Sequence, residues 1–168
     1  SVLFVDDHNL VASAISALLR MRSYDVTTAN NLVRARDAME SSLYDLLLLD
    51  INLGTESGLT LLEKGTSNLP RHTIMLSGTS EQEWIFRGFE LGAFGFISKN
   101  VEPDELLSAI ESMVMRPPAP EAGWIWDTQQ KTVVSAYSYF QKETILTSKE
   151  REVFMHMREG RLDKQIAD

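Results

Sequence analysis

Short apolar runs in this sequence end repeatedly in polar residues. VLFV runs into Asp6 and Asp7, DLLLLD closes on Asp50, IMLS ends in Ser77, and GFIS is followed by Lys99. If the runs are parallel strands of one doubly wound sheet, these residues meet at the carboxyl edge, where such sheets bind ligands. Like charges as close as Asp6 and Asp7 repel, and burying either unpaired is costly. A hard divalent cation resolves the conflict, and Mg²⁺, which takes oxygen ligands and keeps several waters, is the expected one. An Asp beside such a cation is a competent nucleophile toward phosphorus. Phosphoryl transfer then asks for in-line positioning and charge neutralisation. Mg²⁺ and the Lys99 ammonium can neutralise, and the Ser77 hydroxyl can bond a phosphoryl oxygen. Asp50 is the expected nucleophile because it ends the most buried, most central run.

Taken singly, each residue has a plainer explanation: a solvated turn for Asp6 and Asp7, a structural hydroxyl for Ser77, a surface ammonium for Lys99. Their joint placement gives the chemical reading its force. His8, directly after the two acids, is expected to be a polar loop residue or helix cap rather than a ligand.

Positioning these groups requires alternating strands and helices. Candidate strands are Val2–Val5, Asp25–Ala29, Asp45–Leu49, Thr73–Leu76 and Gly95–Ser98. The continuous apolar run of the third fits a strand covered on both faces. Between them apolar residues recur at helical spacing: Leu10, Ala14, Leu18 and Leu19; Leu32, Ala35 and Met39; Trp84, Ile85, Gly88 and Phe89; Leu106, Leu107, Ile110 and Met113. Pro103 suits the first turn of the last helix, where its missing N–H costs nothing. This alternation predicts an α/β fold, a doubly wound five-stranded parallel sheet, over residues 1–115. Residues 116–146 form a Pro-rich linker (Pro117, Pro118, Pro120) and then an aromatic, β-branched segment read as one hairpin or two short strands. Trp124, Trp126, Tyr137, Tyr139 and Phe140 are expected to pack the hairpin on its own helix or on the preceding domain, in preference to stacking on bases. In residues 147–168, Thr147 and Glu150 form a capping box for a helix that Gly160 ends.

The 168 residues hold no cysteine, so disulfides and thiolate metal sites are excluded, as suits a cytoplasmic protein. No run approaches the roughly 18 apolar residues of a membrane span. Residues 1–115 carry 8 Lys and Arg against 16 Asp and Glu, whereas residues 116–168 carry 8 of each. The acidic part is therefore unsuited to binding nucleic acid by itself.

FVDD, LLLLDINL, IMLSG and GAFGFISKN together resemble the receiver domain of two-component response regulators, with a flavodoxin-like fold. The resemblance implies that Asp50 accepts phosphate from a sensor histidine kinase. It also implies that Asp6, Asp7, Asp50 and the main-chain carbonyl of Asn52 hold Mg²⁺, and that Phe96 is an aromatic switch that moves as Ser77 engages the phosphate. Three positions depart from the family pattern: Gly54 and Asn100 stand where Pro is common, and Phe96 lacks a Tyr hydroxyl. The segment LTSKEREVFMHMREGRLDKQIAD resembles the opening of a LuxR-type helix-turn-helix, so the chain is similar to NarL/FixJ-type regulators. Its expected partners are a kinase, a second copy on phosphorylation, and promoter DNA for a full-length protein. With the recognition helix absent from this sequence, DNA binding by these residues alone is expected to be weak or nil. A signalling module rather than an enzyme is expected. An Mg²⁺-dependent phosphohydrolase is the alternative, although Asn52 stands where such enzymes usually carry a second Asp. A receiver acting as an unphosphorylated scaffold is another, at odds with the intact acids and lysine.

Overall fold

The computed structural model describes residues 1–63, 66, 68–79, 82–117, 123–142 and 152. The elements run β1 (Val2–Val5), α1 (Asn9–Met21), β2 (Val26–Ala29), α2 (Leu32–Ser41), β3 (Leu46–Asp50), β4 (Asn52–Leu53) and β5 (Glu56–Ser57). A 3₁₀ turn (Gly58–Leu62) comes next, then β6 (His72–Ser77), α3 (Gln82–Glu90), β7 (Gly95–Ser98), α4 (Pro103–Val114), β8 (Trp124–Asp127), β9 (Thr132–Ser135) and α5 (Ala136–Lys142).

The main sheet has the order β2-β1-β3-β6-β7-β8-β9. Its first five strands are the five expected, all parallel. The order reverses between β1 and β3, which places the crevice beside the ends of those strands. Two further strands extend the sheet: β8 joins β7 in parallel and β9 closes a hairpin on β8. The aromatic segment is thus a hairpin, as expected, and it is built into the sheet of the preceding domain.

Central β3 explains why the run LLLL is uninterrupted. Leu46, Leu47, Leu48 and Leu49 are all essentially inaccessible, alternating between two cores on opposite faces. Each such burial contributes roughly 1.5–3 kcal/mol. One core gathers α1 and α4, and the other gathers α2, the 3₁₀ turn, α3 and α5. α2 starts on Asn31, whose side chain accepts from the Arg34 N–H at 2.9 Å. α4 begins at Pro103, as the sequence predicts.

Two expectations about helices need correcting. α1 forms where predicted but buries Ala12, Ile15, Ser16 and Leu19, while Leu10 is 88% exposed and Ala14 also faces solvent. Several rows at helical spacing were available in NLVASAISALLRM, and the buried row does not include Leu10. Tyr137, Tyr139 and Phe140 lie in α5 rather than in a strand. Ser135 supplies the reason: its Oγ accepts the Ser138 N–H at 3.1 Å, an N-cap that overrides aromatic β preference. The expected helix-turn-helix segment, Thr147 to Asp168, lies outside the described residues apart from Glu152. Among the described residues, no helix is long and apolar enough to cross a membrane.

Gly58 locks the loop after β3 to the sheet. Its N–H donates to the Ile51 carbonyl at 2.7 Å, and a Cβ added there would lie 2.0 Å from the Asp50 carbonyl oxygen. That neighbour is backbone and cannot rotate away. Gly58→Ala is expected to lower unfolding free energy by about 1–3 kcal/mol, read from the urea midpoint.

Candidate functional site

Strand register brings the expected residues to one edge. Val5 lies opposite Leu49 and Asp50 opposite Leu76, so Asp6, Asp50 and Ser77 end three neighbouring strands. Ser77 pairs with Ser98, and the Ser77 carbonyl accepts the Lys99 N–H at 2.8 Å, which carries Lys99 onto the same rim.

Lys99 holds the centre. Its Nζ donates to Asp6 Oδ2 at 2.7 Å and to Asp50 Oδ2 at 2.5 Å, with the ammonium mostly buried and the two carboxylates almost wholly so. The remaining oxygens of this pair meet backbone: Asp6 Oδ1 accepts the His8 N–H at 2.8 Å and Asp50 Oδ1 accepts the Asn52 N–H at 3.0 Å. Burial pushes the Asp50 carboxyl above the usual carboxylate range. The hydrogen bonds from Lys99 and Asn52 pull it back, and the nearby Asp6 charge adds to the rise. Asp50 is therefore a buried carboxyl whose main charged partner is one ammonium.

Asp7 is different. Its Oδ1 is buried and accepts no hydrogen bond, although His8 Nδ1 lies 3.0 Å away. An oxygen acceptor withdrawn from water and left without a donor is costly. One ligand atom from each of Asp6, Asp7, His8 and Asp50 lies within 4.8 Å of the others. Three carboxylates thus cluster around an ammonium that bridges two of them, Asp6 and Asp50, and the excess negative charge together with the Asp7 oxygen that accepts no hydrogen bond fits a divalent cation with oxygen preference. Asp6, Asp7 and Asp50 are the side chains that could hold it. Asn52, the expected main-chain ligand, begins β4 directly beside Asp50. His8, expected to be a loop residue or cap, is the N-cap residue of α1, and its Nδ1 also lies 3.0 Å from Asp7 Oδ1. Its only sequence signal was its position directly after the acids.

Ser77 is buried, and its Oγ is engaged by its own turn, meeting Thr79 N at 3.1 Å and Thr79 Oγ1 at 3.2 Å. Phe96 is 5% exposed on β7 and sits opposite Met75 in register. Side chains alternate along strands, so Phe96 shares a sheet face with Met75 and Ser77. The departures from the family pattern have physical roles. Gly54, at φ +61°, takes the first corner of the tight turn joining β4 to β5, which Pro, confined near −65°, cannot do. The loop after Asp50 is accordingly a small hairpin. Asn100 donates from Nδ2 to the Gly78 carbonyl at 2.8 Å, tying the β7–α4 loop to the β6–α3 loop.

The response regulator receiver domain family matches residues 2–111. The transcriptional regulatory protein MctR of Rhizobium johnstonii is 30% identical over 99% of this chain and 77% of its own length. The nitrate/nitrite response regulator protein NarL of Escherichia coli K12 is 27% identical over 99% of this chain and 79% of its length. The chain spans about half the length (49%) of other curated relatives that it matches at 37% identity. Among solved structures, a CheY-like receiver domain protein of Methanospirillum hungatei superposes with a TM-score of 0.60 at 30% identity, covering 66% of this chain and 89% of that one.

The charge arrangement makes a stability prediction. Without divalent cations, Lys99→Met leaves two adjacent buried carboxylates unpaired and is expected to cost roughly 3–5 kcal/mol. Asp50→Asn removes the carboxylate that burial penalises and is expected to leave the urea midpoint unchanged or raise it. Equilibrium denaturation of the two variants in chelator tests this contrast.

Proposed function

We propose that this chain, which belongs to the response regulator receiver domain family, accepts a phosphoryl group on Asp50 from a phosphohistidine of a sensor kinase. The resulting state is passed to transcription through the carboxy-terminal tail. The observation that carries the reading is the Lys99 ammonium bridging Asp6 and Asp50 at the carboxyl edge of the sheet, beside an Asp7 oxygen that lacks a donor. Such a centre suits neither a structural ion pair, which would need one carboxylate, nor a solvated turn.

In this reading Asp6, Asp7, Asp50 and the Asn52 carbonyl hold Mg²⁺. When bound, Mg²⁺ offsets charge on the phosphoryl oxygens. Each residue of the chain then has a task. An Asp50 oxygen attacks phosphorus in line with the departing imidazole nitrogen. The P–O bond forms as the P–N bond breaks, and the imidazole recovers a proton from solvent. The Asn52 N–H, already on Asp50 Oδ1, leaves Oδ2 and the Lys99 ammonium on the opposite side of the carboxylate. Lys99 tracks the charge as it moves from the carboxylate to the phosphoryl oxygens. Ser77 exchanges its bonds to Thr79 for a phosphoryl oxygen.

The protein is a signalling module in this account, turning over once per phosphorylation event. The relatives named as transcriptional or nitrate/nitrite response regulators support control of transcription as the output of a full-length protein; promoter DNA as its target and self-association of the phosphorylated form are part of the same proposal.

Incubation with a small acyl phosphate and Mg²⁺ is expected to add one phosphate per chain, detected as an intact-mass increment. The increment should vanish in Asp50→Asn and in chelator. Lys99→Ala should reduce its rate by roughly 10²-fold or more, the scale seen for loss of one charge-stabilising group. Incorporation that persists in Asp50→Asn would sink the assignment.

A further inference from the structure

At the far side of the sheet from the added hairpin, β2 is the edge strand, and α1 lies against it. Beside the apolar row that α1 buries runs a polar one at helical spacing, Ser13, Ser16 and Arg20. It meets Thr28 of β2, Asn30 just after that strand and Arg34 in the first turn of α2. These residues line a cleft of about 270 Å³. Ser13, Thr28, Asn30 and Arg34 are exposed along it, whereas Ser16 is buried and forms its floor.

Charge is the first sign of a ligand. Arg20 Nη2 donates to the Val26 carbonyl at 2.8 Å, which anchors one guanidinium at the amino end of β2. Arg34 follows the carboxyl end of the same strand, and four residues of strand put about 10 Å between those ends. Arg22 and Arg87 pair with Glu111 and Glu90, but among the described residues neither Arg20 nor Arg34 reaches a carboxylate. The acid in the cleft wall, Asp6, is held by Lys99. In a chain of net charge −8, two unpaired guanidiniums on one cleft concentrate positive potential. The second sign is Ser16. A serine inside a helix commonly bonds the carbonyl four residues back. Ser16 is 1% exposed, yet its Oγ has no partner at all. Leaving that hydroxyl unsatisfied costs stability, and an oxygen entering from the cleft supplies what it lacks.

We propose that the cleft between α1, β2 and α2 binds a small hydroxylated anion with a phosphate or carboxylate group at each end, a chemical input to the receiver separate from Asp50. The two guanidiniums take the anionic ends through paired N–H···O bonds. Ser13, Ser16, Thr28 and Asn30 match hydroxyls between them. The lining holds no aromatic ring, so a nucleobase finds nothing to stack on. A ligand held at both ends ties α1 to α2 across the edge strand. Apart from Asp6, no residue of the cleft belongs to the acidic centre, so the site stands whether or not Asp50 accepts phosphate.

The test is calorimetric titration of the whole chain with inorganic phosphate, fructose 1,6-bisphosphate and citrate, in buffer free of divalent cations. Without a cation the acidic centre repels anions, so binding reports the cleft. At least one of the two longer probes is expected to bind tenfold or more tighter than inorganic phosphate, and which one distinguishes phosphate from carboxylate ends. Arg20→Gln and Arg34→Gln are each expected to weaken that binding about tenfold or more. Arg36→Gln, the same loss of charge on α2 but outside the cleft, is expected to leave it unchanged. Ser16→Ala is expected to weaken binding about threefold while the urea midpoint of the free protein holds or rises, which a merely structural hydroxyl would not do. Asp50→Asn should bind like the parent chain. No saturable binding of any probe below about 10 mM would overturn the inference, as would binding that Arg36→Gln weakens as much as Arg34→Gln does. Either result leaves acyl-phosphate labelling of Asp50 to be judged on its own.

Discussion

A single ammonium between two buried carboxylates sets the terms for the rest of this structure. Asp6 and Asp50 lie 93 and 49 residues from Lys99 in sequence, and the three meet only if β1, β3, β6 and β7 are in register. A one-residue slip in any strand would send the terminal side chain to the other face and leave a charge buried without a partner. The centre is therefore sensitive to the whole sheet. It is also incomplete, because three carboxylates cannot be satisfied by one lysine. A fold optimised for stability alone would replace this cluster with apolar residues. Its retention makes sense when the surplus charge has something to hold.

The same constraint explains the loops. Each carboxylate oxygen not facing Lys99 is occupied by a backbone N–H two residues on, at His8 for Asp6 and at Asn52 for Asp50. These short-range bonds force the chain to turn immediately after each strand. Downstream of Asp50 the turn continues into a hairpin whose corner demands a positive φ at Gly54, and it is pinned again where the Gly58 N–H donates to the Ile51 carbonyl. Two departures from the common family pattern, Gly54 and Asn100, are thus substitutions of one geometric solution for another.

Much of this was legible in the residues. Four of the five parallel strands were visible as short apolar runs ended by a polar group, β2 (VTTA) by its β-branched residues, and β3 was the clearest because both its faces are buried. The Asp, Ser and Lys positions were legible for the same reason: strand ends mark the edge where side chains converge. The buried face of α1 was not legible, since Leu10, Val11, Leu18 and Met21 offer apolar residues on every side and only packing selects Ala12, Ile15 and Leu19. The small hairpin at Asn52–Ser57 was missed because two-residue strands leave no periodicity to read. Tyr137, Tyr139 and Phe140 were drawn toward a strand by aromatic preference, and the serine that caps their helix outweighed it.

The hairpin's attachment to β7 could not be read from the sequence at all, and it changes what the sheet presents. In a five-stranded arrangement β7 would be an edge, with unpaired N–H and C=O groups open to another chain. Here β8 takes those bonds, and α5 covers the face beside them. A partner seeking this edge must first displace residues of the same chain. The cover meets β7 over two registered pairs and is packed on both faces of the sheet, Ile125, Ala136 and Phe140 in one core and Trp126 and Val133 in the other beside α4, so the edge is masked by buried surface as well as by backbone bonds.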